Sequence, residues 1–193
     1  MIIRVHPEKC TGCRACETYC ALEQEGLVNP ALARVRVLKD EPRNLFLPIL
    51  CPQCDEKACV DACPEPGAMT IDPCTGAVVI AEALCTGCSK CIRACSIGAI
   101  RLLRQAGRGK FGKAVAFKCN QCGGAPWCVK VCAPGALEYV EESGQPVFES
   151  LRVALADAEK ILAERGMFSV MSLQSRGDFD CRQTTNSRKG ATR

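Results

Sequence analysis

The chain has 193 residues, a formal charge of +4, 48% hydrophobic residues and 18 cysteines. Its length allows one or two small domains, and so high a cysteine content first suggests a secreted disulfide scaffold. Residues 1–7 hold no charged segment followed by an apolar one, and no apolar run approaches the ~20 residues of a membrane-spanning helix, so the chain reads as cytoplasmic, reduced and not membrane-bound.

In chain order, the first cysteine group is Cys10, Cys13, Cys16 and Cys20, in the pattern C-x2-C-x2-C-x3-C with Gly12 inside it. Cys16 and Cys20 stand at helical neighbour spacing, and a candidate hairpin follows over residues 35–49. The second group, Cys51, Cys54, Cys59 and Cys63, widens the middle gap and leads through Gly67-Ala68-Met69 into a hairpin at 69–80, whose loop holds Cys74. The third group, Cys85, Cys88, Cys91 and Cys95, repeats the first pattern with Gly87 inside it. Gly98-Ala99-Ile100 then opens a hairpin over 100–117. The fourth, Cys119, Cys122, Cys128 and Cys132, is followed by Gly135-Ala136-Leu137 and a hairpin expected over 137–148. Short helices are expected after the last cysteine of a group, which makes the fold class α+β.

Sixteen of the eighteen cysteines thus fall into four quartets. Soft thiolates in a triplet-plus-one pattern are what a cubane iron–sulfur cluster needs, so four quartets predict four [4Fe–4S] clusters and a conductor of electrons. Structural zinc more often takes two separated C-x2-C pairs or mixed Cys/His sets, and the single histidine, His6, reads as a surface or packing residue. Aromatic residues are scarce at 5%; clusters would supply the missing cross-links, so the cluster-free chain is expected to be largely disordered. Each oxidised cluster with its thiolates carries about −2, so the loaded chain moves from +4 to about −4. The excess of lysine and arginine therefore offsets cluster charge and does not predict a nucleic-acid partner.

Cys51-Pro52-Gln53-Cys54 with Cys59-Val60-Asp61-Ala62-Cys63-Pro64, and Cys119-Asn120-Gln121-Cys122 with Pro126-Trp127-Cys128, carry a family resemblance. Over residues 1–150 the chain resembles the four-cluster, bacterial-ferredoxin-type electron-transfer subunits associated with dimethyl sulfoxide reductase, formate dehydrogenase, hydrogenase, carbon monoxide dehydrogenase and aldehyde ferredoxin oxidoreductase. The resemblance implies that the fourth cysteine of a quartet serves the partner quartet's cluster. The ligand sets would be Cys10, Cys13, Cys16 and Cys132; Cys20, Cys119, Cys122 and Cys128; Cys51, Cys54, Cys59 and Cys95; and Cys63, Cys85, Cys88 and Cys91. Two interlocked ferredoxin-like units follow, an outer one from 1–50 with 114–150 and an inserted one from 51–113. Cys74 and Cys181 are expected not to be ligands.

Gly107-Arg108-Gly109-Lys110-Phe111-Gly112 satisfies G-x-G-x-x-G, but it lies where a hairpin is expected rather than between a strand and a helix, which argues against a dinucleotide site. No nucleophile–base pair is recognisable, so the chain is not expected to be an enzyme itself. Residues 151–193 form a C-terminal extension. Leu151, Leu155, Ala158 and Leu162 share one helical face, Gly166 is a candidate stop, and Met167, Phe168, Val170, Met171 and Leu173 form a second apolar stretch. The helix at Leu151 to Leu162 reads equally as packed back on its own domain or as a docking element, whereas the stretch Met167 to Leu173 is expected to dock another subunit, or another copy of the chain head-to-tail. The resemblance implies a catalytic oxidoreductase subunit as partner, first a tungsten or molybdenum aldehyde oxidoreductase, with carbon monoxide dehydrogenase, hydrogenase or formate dehydrogenase as alternatives. A flavin- or NAD-linked subunit is a further partner of that kind. A different class of answer is an iron–sulfur maturation or scaffold protein.

Overall fold

The computed structural model describes residues 1–103 and 114–141. The G-x-G-x-x-G loop, Cys181, the C-terminal extension and the far half of the 137–148 hairpin lie outside the described residues.

Among the described residues eight short strands pair into four separate two-stranded antiparallel sheets. They are β1 (Ile2–Val5), β2 (Arg36–Asp40), β3 (Leu45–Ile49), β4 (Met69–Ile71), β5 (Val78–Ile80), β6 (Arg101–Leu103), β7 (Val115–Phe117) and β8 (Leu137–Val140). Three pairs are the hairpins expected from the turn signals: β2 with β3, β4 with β5 and β6 with β7. The fourth joins the two ends of the described chain. β8 pairs with β1, from Ile2 opposite Val140 to Val5 opposite Leu137, and His6 N–H continues the ladder to Ala136 O at 2.8 Å. Residues 137–140 thus find their strand partner at the N-terminus.

The helices correct one expectation. They do not follow the quartets but run inside them, from the third cysteine towards the fourth: α1 (Ala15–Glu25), α2 (Ala58–Asp61), α3 (Lys90–Ala94) and α4 (Trp127–Lys130). The cause is the x3 gap, since cysteines at i and i+4 share one helix face a turn apart. α1 runs longest and stops at Gly26, which is left-handed (φ 70°) and returns its N–H to Leu22 O at 2.8 Å. α1 packs against α4 and α2 against α3, so first and last quartets meet, as do the middle two.

The largest core sits between these layers, around Ile3, Ala21, Val35, Leu47, Leu50, Ile97 and Leu137, with Cys16, Cys20, Cys119 and Cys128 among its members. A second is built on Met69, Val78, Cys91 and Ile100, and a third on Leu103, Val115 and Phe117. Cysteine sulfur thus does much of the packing that large side chains do elsewhere. β7 belongs by pairing to β6, so the expected boundary at 113/114 runs through one hairpin.

Candidate iron–sulfur centres

Each C-x2-C step is a turn whose last residue before the second cysteine is left-handed: Gly12 (φ 68°), Gln53 (56°), Gly87 (68°) and Gln121 (58°). A second left-handed residue stands two places before the third cysteine in three quartets, at Arg14, Lys57 and Ser89. The fourth has Pro126 there, whose ring holds φ at −64°; the left-handed turn falls instead on Cys122, Gly123 and Gly124. A side chain in this region costs about 1–2 kcal/mol, and such strain gathers where a backbone must wrap something closely.

Gln53 and Gln121 offset that cost with buried hydrogen bonds. Gln121, 1% exposed, donates from Nε2 to Met1 O at 2.8 Å, and Tyr139 donates its hydroxyl to Gln121 Oε1 at 3.5 Å. Gln53 donates to Cys119 O at 3.0 Å and accepts from Val78 N–H at 3.0 Å. One glutamine therefore closes the β1–β8 end, and the other ties the second quartet to the fourth.

Cys10, Cys13, Cys16 and Cys132 line one cavity, Cys51, Cys54, Cys59 and Cys95 a second, and Cys63, Cys85, Cys88 and Cys91 a third. The remaining thiols also lie together, because the Cys128 thiol is raised first by burial and then by Cys119, Cys20 and Cys122. In each group three cysteines come from one quartet and one from another. Cys74 is exposed in the β4–β5 turn, where its N–H donates to Asp72 Oδ1 at 2.8 Å.

Burial dominates the thiol chemistry. It pushes Cys16, Cys91 and Cys119 up to about 12 and Cys54 to about 11, and raises Cys128 strongly. Such thiols ionise only when a metal takes the place of the proton. Among the described residues no three His, Cys, Asp or Glu converge on a single metal ion. A four-iron cube binds each thiolate at a different iron, so its ligands do not converge on one point.

Backbone N–H groups already point at these sulfurs. Ala99 donates to Cys95 Sγ at 3.3 Å and Ala136 to Cys132 Sγ at 3.2 Å, each four residues on, while Arg34 donates to Cys20 Sγ at 3.1 Å. The Gly-Ala steps after the third and fourth quartets therefore do more than lead into a strand: they turn the alanine N–H back onto the fourth cysteine, whereas Ala68 N–H after the second quartet bonds Glu65 O at 3.1 Å. Ala116 N–H reaches Cys85 Sγ at 3.4 Å, and Gln24 Nε2 reaches Cys122 Sγ at 3.4 Å. Thiolate sulfur inside a cavity lined in this way is what a cluster requires, so the residues present fit the group.

The four thiol groups follow one another in a row. After burial, the influences on Cys128 include Cys16, those on Cys119 include Cys51, and those on Cys91 include Cys59. The order is therefore Cys10/13/16/132, Cys20/119/122/128, Cys51/54/59/95 and Cys63/85/88/91. The two end groups each present an exposed cysteine, Cys13 and Cys88.

A polar seam runs alongside the second and third groups, and sequence reasoning missed it. Glu17, 2% exposed, accepts from Val37 N–H and from Arg14 Nε, both at 2.6 Å. Arg34 pairs with Glu25 at 2.6 Å, Arg36 donates to Gly98 O at 3.1 Å, and Arg101 donates to Ala33 O. Arg34 and Arg101 also face the Phe117 ring, at 5.3 and 4.8 Å. Burial lowers Arg101 to about 10. On the other side of the seam Lys118, 5% exposed, donates to Val78 O at 2.9 Å, Cys119 O at 3.1 Å and Gln53 Oε1 at 3.2 Å. Its sequence signal was a lysine directly continuing the apolar run Val115-Ala116-Phe117. That of the glutamines was C-x-Gln-C where the other quartets have C-x-Gly-C.

A small fold of short helices and antiparallel strand pairs, wrapped around grouped thiols, defines an iron–sulfur protein that carries electrons. The chain belongs to the 4Fe-4S dicluster domain family, whose model matches residues 42–149 and so takes in the second, third and fourth quartets. The polyferredoxin-like subunit of aliphatic sulfonate oxidoreductase from Pyrococcus furiosus is 44% identical over 93 residues, 48% of this chain and 53% of that protein. The aligned part thus spans about half of that relative's length. Electron transport protein HydN of Escherichia coli is 33% identical over 129 residues, 59% of this chain and 71% of that one. Among solved structures, a chain of the active-site complex BamBC of benzoyl coenzyme A reductase matches 90% of this chain and 94% of its own length, at 23% identity and a TM-score of 0.39. Among the described residues no helix is long and apolar enough to cross a membrane.

Proposed function

We propose that the chain holds four [4Fe–4S] clusters in a row and relays electrons between a catalytic oxidoreductase subunit and a separate acceptor or donor. The ligands are Cys10, Cys13, Cys16 and Cys132; Cys20, Cys119, Cys122 and Cys128; Cys51, Cys54, Cys59 and Cys95; and Cys63, Cys85, Cys88 and Cys91. The observation that carries this reading is the crossed grouping, in which Cys132, Cys95 and Cys63 each line a cavity with three cysteines of another quartet. A cluster of this type supplies reversible one-electron transfer when bound. The chain's own part is to fix the order of the centres, direct N–H groups at their sulfurs and exclude water from the middle of the row. Cys13 and Cys88, exposed at opposite ends of the row, mark where electrons enter and leave.

The outer unit is residues 1–50 with 114–150 and the inserted one 51–113, the latter completed by β7 from the returning chain. The catalytic partner is first an aldehyde oxidoreductase of the tungsten or molybdenum type, a choice resting on the family resemblance; the polyferredoxin-like Pyrococcus relative supports an oxidoreductase partner more generally. A flavin- or NAD-linked subunit is the acceptor, the setting is the cytoplasm, and residues 151–193 dock a subunit or a second copy of the chain. Truncation after Gly166 should shrink the assembly; unchanged complex size ends the docking role.

The ligand sets are tested by paired substitutions in anaerobically purified protein. The unaltered chain should contain about 16 iron atoms. Cys13→Ser combined with Cys132→Ser should disturb one cluster, whereas Cys122→Ser combined with Cys132→Ser should disturb two, by Mössbauer or electron paramagnetic resonance spectroscopy. The reverse pattern would show that each quartet serves its own cluster.

A further inference from the structure

Lys118 is a buried ammonium whose three acceptors, Gln53 Oε1, Val78 O and Cys119 O, are all neutral oxygens. An ammonium removed from water without a countercharge is costly. Cysteine groups stand on its two sides and, as thiolates, can offset it. Lys118 lines the cavity of Cys51, Cys54, Cys59 and Cys95, and it is bonded to the backbone of Cys119 in the neighbouring group. After burial, which raises both thiols, its charge is among the influences that pull Cys59 and Cys119 down.

The other buried cations lie at the same junction. Arg36 feels Cys95, and Arg101 feels Cys20, in both cases after burial and the nearby charged side chains. Together with Arg34 and Lys118 they exceed the two buried carboxylates there, Glu17 and Glu25. Towards the Cys13 end the charges pair off, because the half-exposed Arg14 lines that cavity and donates to Glu17 at 2.6 Å. Burial and then the Glu17 carboxylate raise Cys16, and the charged side chain named for Cys10 is the exposed Lys39. At the Cys88 end the charges named for Cys91 are all other thiols.

We infer that Lys118 holds the two central clusters, on Cys20/119/122/128 and Cys51/54/59/95, at higher reduction potential than the two terminal ones. The inference rests on the ligand sets proposed above. Reduction adds a negative charge to an already anionic centre, and a fixed positive charge in a low-dielectric interior favours that state. Lys118 is thus a positioning residue for charge, not a catalytic one. Electrons arriving at either end would settle first in the middle of the row.

The test is a potentiometric titration of the loaded full chain followed by electron paramagnetic resonance, with signals assigned through Cys51→Ser for a central cluster and Cys13→Ser for a terminal one. In the unaltered protein the central signals should appear at the higher potential. Lys118→Met should weaken reduction of the central pair at least tenfold, about 59 mV for a one-electron couple, and leave the terminal pair in place. Gln53→Glu, which sets a carboxylate against the ammonium without removing it, should move the same pair in the same direction and decides the matter if Lys118→Met loses iron. Terminal signals reduced first in the unaltered protein, or a central pair unmoved in an iron-replete variant, would overturn the inference. A wrong ligand assignment would show separately, in the iron count and the paired cysteine substitutions.

Discussion

Gly87→Ala isolates the steric requirement at one centre. Gly87 is left-handed, at φ 68°, and lies in the lining of the Cys63/85/88/91 cavity. A Cβ built there would run into Ala114 O. Ala114 is backbone, so no side chain can swing aside, and it leads straight into β7, where Val115 is 0% exposed and Ala116 N–H donates to Cys85 Sγ at 3.4 Å. The control is Gly76→Ala. Gly76 has a similar φ of 70°, with nothing within 4 Å of an added Cβ.

Both substitutions carry the left-handed cost of about 1–2 kcal/mol. Only Gly87→Ala adds an overpacking term, about 1–3 kcal/mol. Loss of iron makes unfolding irreversible, so the readout is a rate: bleaching of the visible cluster absorbance under an iron chelator. If the extra term is felt fully in that rate, Gly87→Ala should bleach about 5–150 times faster than Gly76→Ala. Equal rates for the two variants would refute the claim that Ala114 O, rather than φ alone, demands glycine here.

Glu17→Ala should be severe, about 3–5 kcal/mol, because it strips a buried carboxylate from Val37 N–H and from Arg14, beside Arg36. Glu17→Gln keeps an acceptor and should cost about 1–3 kcal/mol, both read as the denaturant concentration that bleaches half the clusters. Cys74→Ala should leave the iron content unchanged and stability within about 0.5 kcal/mol, since this thiol is exposed in a turn. Removal of iron should abolish cooperative folding; a native-like circular dichroism spectrum with a sharp melt after chelation would refute that expectation.

Much of this architecture was legible because cysteine spacing is both a chemical and a conformational signal. The x3 gap places two sulfurs on one helical turn; read at Cys16 and Cys20 it points to α1, while the other helices, expected after the quartets, lie inside them. Turn signals such as Asp72-Pro73-Cys74-Thr75-Gly76 foretold β4 with β5, because Asp72 Oδ1 collects the N–H groups of Cys74 and Thr75, both at 2.8 Å. The pairing of β1 with β8 was not legible, since no local pattern says that Ile3 will face Tyr139 across the whole length of the described chain. The buried seam was hidden for another reason. Glu17, Arg36 and Lys118 look like ordinary surface charges until segments distant in the chain fold over them.

That seam bears on why the outer and inserted units proposed above would be nested rather than strung end to end. The proposed inserted segment covers residues 51–113, but its last hairpin is finished by β7, its Gln53 donates to Cys119 O, and Lys118 bonds both Gln53 and Val78. Each of these contacts comes from the chain after it has left the inserted unit. Closing so long a loop adds little beyond a short one, about 0.6 kcal/mol per doubling of length. In return the outer unit is tied to the inner by buried hydrogen bonds that neither could satisfy alone. Two independent ferredoxin units joined by a linker would leave the distance between their centres free to vary. Cys119 is thereby set beside Cys51, close to the buried cations. The proposed row of centres would then follow from the order in which the chain returns, with Lys118 and Gln53 as the residues that tie the crossing.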